Sequence, residues 1–405
     1  MDKTKAFLIT VLVILLFGIP VTIGKSQDHI LVIHSASPDS NRASEIQRGM
    51  EMYRKNFPEF ANTILVENYY LDMDKPVRQK CEIYLTEIQN TKKIIEDKKP
   101  DLVVLSGDMA QRLIGVRLVT PQSSNRNYLK NNANWLAENG NCADERDIKD
   151  RLAREITPIV LDYKLKIVFM SVTIEDVKVY GYYENENMAG IYERLYVPAV
   201  KEVFQDLYDA VSEERYGKPA NIVVVGDSSD AATQSAQLLK AELSRRDAFD
   251  VPLKWGGIKE GPAWEKWRQI ILDANEKNSM IFVAGYNDLI SDELSGEDIV
   301  KWTEACAKFP ALGGTESFIA DGGMLSVTVS NQEQGAAALN FARQLLDKER
   351  PPENVPFKQS EQFIIGMNKS LLEKRQIILP VIYESFSRET DNYENFGDVY
   401  PADCE

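Results

Sequence analysis

The sequence predicts an α/β fold built from two Rossmann-like lobes with parallel sheets. The chain has 405 residues, which is too long for one small α/β domain and suits a two-lobed unit. Short apolar runs alternate with polar loops and amphipathic helical stretches, the pattern of a parallel sheet covered by helices on both faces. This alternation stops near residue 190 and restarts at residue 221, so we predict two lobes of similar architecture.

The first series contains four apolar runs, each short enough for a buried strand. The run at 29–33 is followed by a polar loop and then by a helical stretch whose apolar residues fall on one face, namely Ala43, Ile46, Met50, Tyr53 and Phe57. Further predicted strands lie at 63–66, 101–105 and 166–170, with a helix predicted over 77–96.

The second series repeats this order. Strands are predicted at 221–226, 280–284 and 310–313. Helical stripes flank the first of them, and a helix is predicted over 299–308.

The N-terminal segment has the pattern of an export signal. Lys3 and Lys5 precede an apolar stretch at 6–23, and small residues Thr22 and Gly24 occupy the positions of a cleavage site. We therefore expect a signal peptide at 1–24 and a periplasmic or secreted mature chain. The stretch also reaches the lower length limit for a membrane span, so an uncleaved N-terminal anchor is the second interpretation.

Two segments do not fit the alternating scheme. The stretch at 120–163 begins rich in Asn, Ser and charge and is predicted to be a long insertion in the first lobe, either functional or disordered. The tail at 384–405 is acidic and has few aliphatic residues, so a loose terminus is expected.

The cysteines leave several possibilities open. Cys81, Cys142, Cys306 and Cys404 allow three complete pairings, and export would favour disulfides. Isolated thiols are an equally weighted alternative, and the spacing does not support a zinc site.

Charge and composition exclude several classes of function. A net charge of −15 without a basic run argues against nucleic acid as a partner. The two histidines, His29 and His34, lie on one predicted strand, and no nucleophile, P-loop or dinucleotide motif occurs. Asp72 and Asp74 form a D-x-D pair that would suit a metal-dependent transferase, but such pairs are common in solvated loops. We therefore predict no catalytic residues, no metal site and no cofactor.

Small polar residues follow six of the predicted strands. Ligands of open parallel sheets collect at the carboxyl ends of the strands, where such loops expose backbone N–H groups and short side chains. Each loop alone is explained by turn or capping chemistry, but three loops per lobe favour a cleft between the lobes. The loops are 35–38, 106–108, 171–173, 226–228, 285–288 and 313–316.

Four segments carry a family resemblance. They are the stretch at 309–330, the Gln334-Gly335 pair that opens a helix, the segment at 187–190 and a last strand at 362–366. In these segments the chain resembles type I periplasmic substrate-binding proteins of ABC transporters, some relatives of which bind aromatic amino acids. The resemblance extends over most of residues 28–380. Two departures from it are the long insertion and the loop at 171–176, where the family commonly has a Gly-Val/Asn-Pro turn.

The resemblance implies three crossings between lobes, a hinge and a cleft. It implies a first lobe at 28–190, completed by 320–350, and a second lobe at 191–319, completed by 358–383. It also suggests ten ligand-facing residues: Ser35, Ser37, Ser106, Asp108, Ser171, Asp227, Tyr286, Asn287, Asp288 and Glu316.

These observations predict an extracytoplasmic solute-binding protein rather than an enzyme. It would be a monomer that captures a small polar ligand, such as an amino acid or a related compound, and delivers it to a membrane permease. The second-lobe carboxylates suggest a ligand with a positively charged group. One alternative is a ligand-binding sensor ectodomain that signals through a partner. The other is an exported transferase using Asp72 and Asp74.

Overall fold

The computed structural model describes residues 27–71, 73, 80–119, 127–139, 151, 154–184, 187–245, 247–291, 293–315, 317–347, 355, 357–395 and 404. The predicted signal peptide at 1–24 lies outside the described residues, as do Asp72, Asp74, Cys142, Glu316 and the side chain of Cys81. In the described part of the chain, no helix is both long and apolar enough to cross a membrane.

The first lobe is built on a six-stranded sheet. Its strands are β1 Asp28–His34, β2 Ile64–Tyr70, β3 Leu102–Ser106, β4 Lys166–Met170, β5 Met188–Tyr192 and β11 Phe357–Gln359. They lie in the order β11-β5-β4-β3-β1-β2, and every neighbouring pair is parallel. His34 pairs with Ser106, and Ser106 with Met170, so the loops after three strands leave the sheet at the same edge.

The second lobe is built on a seven-stranded sheet. Its strands are β6 Asn221–Gly226, β7 Lys254–Glu260, β8 Ser279–Gly285, β9 Ala311–Gly313, β10 Leu325–Val329, β12 Phe363–Asn368 and β13 Tyr393–Glu394. The order is β13-β12-β10-β9-β8-β6-β7, parallel except between β10 and β12. The predicted parallel α/β lobes are therefore confirmed, with one antiparallel pair in the second lobe.

Helices connect the strands. They are α1 Asn41–Asn56, α2 Pro58–Ala61, α3 Lys80–Lys98, α4 Asp108–Ala110, α5 Val116–Val119, α6 Asn127–Asn139, α7 Ile174–Val179, α8 Val197–Ala210, α9 Glu213–Tyr216, α10 Asp230–Leu243, α11 Trp264–Glu276, α12 Gly296–Cys306, α13 Ser317–Ala320, α14 Asn331–Leu346, α15 Lys369–Lys374 and α16 Val381–Glu389. A π-helical turn, Gln111–Gly115, joins α4 to α5, and short 3-10 turns cover Tyr182–Glu184 and Asn287–Leu289.

Each sheet has a core on both of its faces. Along β1, Leu31 and Ile33 pack in one cluster while Ile30 and Val32 pack in the other. The strand β6 alternates in the same way between the two clusters of the second lobe. Successive strand residues point to opposite faces, so a continuous apolar run is what a sheet covered on both sides requires.

The chain passes between the lobes three times. The first crossing follows β5 and leads to α8, the second joins β10 to α14 at Ser330, and the third joins β11 to β12 over 360–362. The predicted return to the first lobe at 320 differs from this, because β10 is a strand of the second sheet. The last strand of the first sheet is Phe357–Gln359, so the third crossing begins after Gln359.

The segment predicted to be an insertion contributes to the core of the first lobe. Leu136 and Ala137 of α6 are buried there together with Ile156 and Ile159. The helix also places Trp135 over the guanidinium of Arg112, 3.5 Å from the ring centroid. The described parts of 120–163 are therefore packed against the lobe.

The described part of the tail, 384–395 and 404, also differs from the expected loose terminus. α16 buries Tyr383, and Ser387 donates a hydrogen bond to the Ile365 carbonyl. β13 pairs with β12, and Cys404 forms a disulfide with Cys306 at the end of α12. The Cys306–Cys404 disulfide is one of the pairings that the sequence alone left open.

Candidate functional site

A cleft of about 1160 Å³ lies between the two lobes. First-lobe residues, second-lobe residues and all three crossings contribute to its wall. The lining includes Ser40, Asn41, Arg42, Met73, Thr173 and Ile174 from the first lobe, and Thr233, Gln234, Gln237, Asn287, Asp288, Ser317 and Asp321 from the second. The crossings contribute Tyr192, Glu193, Arg194, Leu195, Thr328, Val329, Asn331 and Gln359.

The first turns of α1 and α10 reach the cleft because both helices begin just after a strand ends. Ser40 caps α1 by accepting a hydrogen bond from the Ala43 N–H, and Ser229 caps α10 by accepting one from Ala232. α10 turns its apolar residues toward the sheet, so Gln234, Gln237 and Ala241 fall on the side that faces the cleft. The sequence pattern predicted the apolar face of this helix, but it did not indicate that the opposite face lines the cleft.

The loop after β8 carries two of the ten predicted residues into the cleft. Asn287 and Asp288 both line it. The position of this loop depends on Asp227, which is buried and accepts hydrogen bonds from the Asp288 N–H (2.9 Å) and from the backbone and hydroxyl of Ser229 (3.1 and 2.5 Å). Asp288 in turn accepts a 2.8 Å hydrogen bond from the Ser228 hydroxyl. Asp227 is thus placed beneath the lining, where it organises the loop that Asp288 belongs to.

Asp321 is a lining carboxylate that sequence reasoning missed. Its Oδ2 accepts a 2.5 Å hydrogen bond from the hydroxyl of Tyr286, which lies 2.8 Å from the Ser317 Oγ. Burial raises the pKa of the Asp321 carboxyl above its ordinary value, and the nearby Glu297 adds to the shift while the Tyr286 hydrogen bond opposes it. Burial and the Asp321 charge also raise the pKa of Tyr286, so this phenol is a hydrogen-bond donor at neutral pH.

In the first lobe, Ser35 and Ser106 are buried beneath the loops. The Ser35 hydroxyl donates to the Ser106 carbonyl at 2.9 Å and accepts from the Ala110 N–H at 2.8 Å. The Ser37 carbonyl accepts from both the N–H and the hydroxyl of Ser40, and so forms the turn before α1. These serines join the ends of β1 and β3 and set where α1 begins.

Asp108 and Ser171 also have partners within the protein. The Asp108 carboxylate accepts a 2.7 Å hydrogen bond from Arg112 Nε and another from the Tyr180 hydroxyl. Ser171 has a positive φ of 57°, and its N–H donates to Gln334 of α14 at 3.1 Å. Two residues further along the chain, Thr173 lines the cleft.

The structure thus brings Asn287 and Asp288 into the cleft lining. At the strand ends, helix starts and loops that support the lining it places Ser35, Ser37, Ser106, Asp108, Ser171, Asp227 and Tyr286. Glu316 lies outside the described residues, between Thr315 and Ser317, which both line the cleft. Direct contact between a ligand and any of the ten residues stays a prediction. In the described ranges, no group of three His, Cys, Asp or Glu side chains is arranged to hold a metal ion.

Comparison with known proteins identifies the class of this fold. Residues 269–390 match the family model described as ABC transporter substrate binding protein, which confirms the resemblance. No curated protein sequence matches the chain. Among solved structures, the chain is similar to three proteins over most of its length and theirs, at identities that establish the fold alone.

The first is a conserved domain protein from Vibrio cholerae, with 13% identity, 89% of this chain and 98% of that chain covered, and a TM-score of 0.54. The second is an ABC domain from Streptococcus pneumonia in complex with L-Trp, with 15% identity, 88% and 98% coverage, and a TM-score of 0.51. The third is the ligand-free, open structure of a substrate-binding protein with adhesive properties from Clostridium difficile, with 14% identity, 90% and 98% coverage, and a TM-score of 0.56. The fold is that of type I periplasmic binding proteins.

Proposed function

We propose that this protein is an extracytoplasmic solute-binding protein that captures a small polar ligand between its lobes. The observation that carries the proposal is the cleft itself, whose wall comes from both lobes and from all three crossings. A ligand in such a cleft contacts both lobes at once only when the lobes are closed. It therefore shifts the population toward the closed form by its extra affinity for that form.

The lining favours a ligand with several hydrogen-bonding groups. Amide and hydroxyl side chains come from every part of the wall, and in the described lining Tyr192 is the aromatic residue. The carboxylates of Asp288 and Asp321 on the second-lobe side would suit a cationic group such as an ammonium. One similar structure holds L-Trp, and we propose an amino acid or a related compound as the ligand here.

Delivery to an ABC permease completes the proposal. It is supported by the family match over 269–390 and by the two-lobed fold. In this scheme the chain is exported, acts as a monomer and leaves its ligand chemically unchanged. Cells that lack the protein would lose saturable uptake of the ligand, and unchanged uptake would contradict a role in transport.

A thermal-shift screen of residues 25–405 tests ligand binding directly. The panel contains amino acids, short peptides, sugars, nucleosides and small anions. A ligand present at 100 times its dissociation constant adds about 2.7 kcal/mol to the free energy of unfolding, which raises the melting temperature visibly. The ligand is then recovered from the complex and weighed by mass spectrometry. An unchanged mass supports binding, a converted product would indicate an enzyme, and the lack of any hit would contradict the proposal.

A further inference from the structure

Glu333 lies in the first turn of α14, and its carboxylate does not cap that helix. The sequence Ser330-x-x-Glu333 has the form of a capping box, in which the glutamate side chain accepts a hydrogen bond from the N–H of the capping residue. The Ser330 hydroxyl does accept from the Glu333 N–H, at 3.1 Å. The Ser330 N–H, however, donates to the Gln362 carbonyl at 3.2 Å. The Glu333 carboxylate is therefore used elsewhere.

The Glu333 carboxylate holds the third crossing. Its Oε2 accepts from the Ser360 hydroxyl at 2.5 Å and from the Gln362 N–H at 2.8 Å. Both of its oxygens accept from the Glu361 N–H at 3.1 Å. These donors are three consecutive residues that lie between two strands, so one carboxylate supplies the acceptors that a neighbouring strand would otherwise give.

The third crossing is also joined to the first. The Ser360 N–H donates to the Tyr192 carbonyl at 2.9 Å, and Arg194 donates to the Gln359 side chain at 3.2 Å. The first-lobe ends of the three crossings thus form one hydrogen-bonded unit centred on Glu333. This unit belongs to the first lobe, because α14 packs closely on α1: a Cβ added at Gly335 would lie 2.0 Å from the Ile46 carbonyl oxygen.

On the second-lobe side, two of the crossings are held by aromatic contacts. The rings of Tyr196 and Phe363 are stacked, with centroids 5.0 Å apart and an interplanar angle of 6°. Phe363 stacks in turn on Phe386 of α16, at 5.8 Å. In the first crossing only Leu195 lies between the Glu333 unit and these stacked rings, and in the third crossing Gln362 directly precedes Phe363.

We propose that Glu333 is the positioning residue of the hinge: its carboxylate fixes the first-lobe ends of the crossings, so that bending on closure is confined to 194–195, 329–330 and 362–363. The proposal rests on the proposed function in assuming that the lobes close. It also predicts that Asn331 and Gln359, which line the cleft, keep their positions relative to the first lobe during closure.

Hydrogen exchange of the ligand-free, full-length chain tests the contact. Glu333→Ala removes a charged acceptor, so the amides of Glu361 and Gln362 are expected to exchange about tenfold faster or more. Glu333→Gln keeps one acceptor oxygen and is expected to be intermediate. Glu361→Ala is the matched control, since the Glu361 carboxylate is exposed and, among the described residues, forms its ion pair with Lys358 at 3.4 Å. Unchanged exchange in Glu333→Ala would overturn the proposal.

Small-angle scattering of the same variants separates a hinge role from a merely structural one. In the ligand-free state, Glu333→Ala is expected to broaden the distribution of distances between the lobes, and Glu333→Gln to restore most of the wild-type curve. Faster exchange with an unaltered scattering curve would show that the carboxylate does not define the hinge. Both measurements use the ligand-free protein. A ligand screen without hits would therefore contradict the proposed function and leave the decision on Glu333 to exchange and scattering.

Discussion

The two lobes share an architecture but bury different ionisable groups. The first lobe buries His34, which stacks on Tyr70 at 4.7 Å and shares a 3.0 Å hydrogen bond with Asn68. The second lobe buries the carboxyl of Glu304, which accepts N–H hydrogen bonds from Met324 and Ala311 at 2.9 and 3.3 Å. A sheet covered on both faces can therefore accommodate either kind of group, provided that a neighbouring side chain or backbone N–H supplies a partner.

These buried groups contribute to stability with opposite dependence on pH. Burial lowers the pKa of His34, so protons bind the unfolded first lobe more readily, and acid destabilises it. Burial raises the pKa of Glu304 to about 7 and also raises the pKa of Asp321, so protons bind the folded second lobe more readily, and acid stabilises it. The two effects therefore oppose each other within one chain.

The largest expected effect tests whether α14 belongs to the first lobe. Gly→Ala in a helix normally stabilises a protein by about 1 kcal/mol. Gly335→Ala is expected to reverse this sign and to cost about 3 kcal/mol or more, because the new Cβ would overlap the Ile46 carbonyl oxygen. Urea unfolding of wild type and variant measures the change. A neutral or stabilising result would show that the two helices are not in contact.

Glu304→Gln tests the acid response of the second lobe. The folded pKa of about 7 lies above the ordinary 4.5, so wild-type stability from this group falls as pH rises from 4.5 to 7 and is constant above that. The full shift corresponds to about 3 kcal/mol at most. The variant does not titrate, and the difference in unfolding free energy between wild type and variant should therefore change across this interval. A difference that stays constant from pH 4.5 to 8 would contradict the raised pKa.

The strands were more predictable than the cleft. Seven strands were expected at their observed places, because buried parallel strands are continuous apolar runs, and the family resemblance added the strand at 362–366. The edge strand Lys254–Glu260 was missed, since it has charged ends and two internal glycines. In the cleft, Asn287 and Asp288 were expected because they directly follow a strand. Three other lining residues were not expected, namely Arg42, Asp321 and Gln359. Their positions depend on how the helix starts and the crossings pack, and no local sequence pattern predicts this packing.

A third prediction concerns the contribution of a second-lobe carboxylate to ligand affinity. Asp288→Ala is expected to weaken ligand binding by 1–3 kcal/mol, about what an unpaired buried polar group costs. Asn287→Ala, which changes the neighbouring lining residue without removing a charge, is the matched control. Calorimetry with a ligand found by the screen measures both. Equal affinities of wild type and Asp288→Ala would remove Asp288 from the site.

The smallest expected effect concerns the first lobe and has the opposite sign to that of Glu304. The unfolded chain binds a proton at His34 near pH 6.5, while the folded chain resists it because the imidazole is buried. Wild-type stability from this group is therefore complete above pH 6.5 and declines as the pH falls below it. His34→Gln should lessen the loss of stability between pH 7 and pH 5. His29→Gln, which removes the other histidine of the same strand, is the control for this change.

If both lobes respond as argued, combining His34→Gln with Glu304→Gln should leave a free energy of unfolding that varies less with pH than in either single variant. If the pH profiles of both single variants match that of wild type, neither group governs the acid response, and the contrast between the lobes has no consequence for stability.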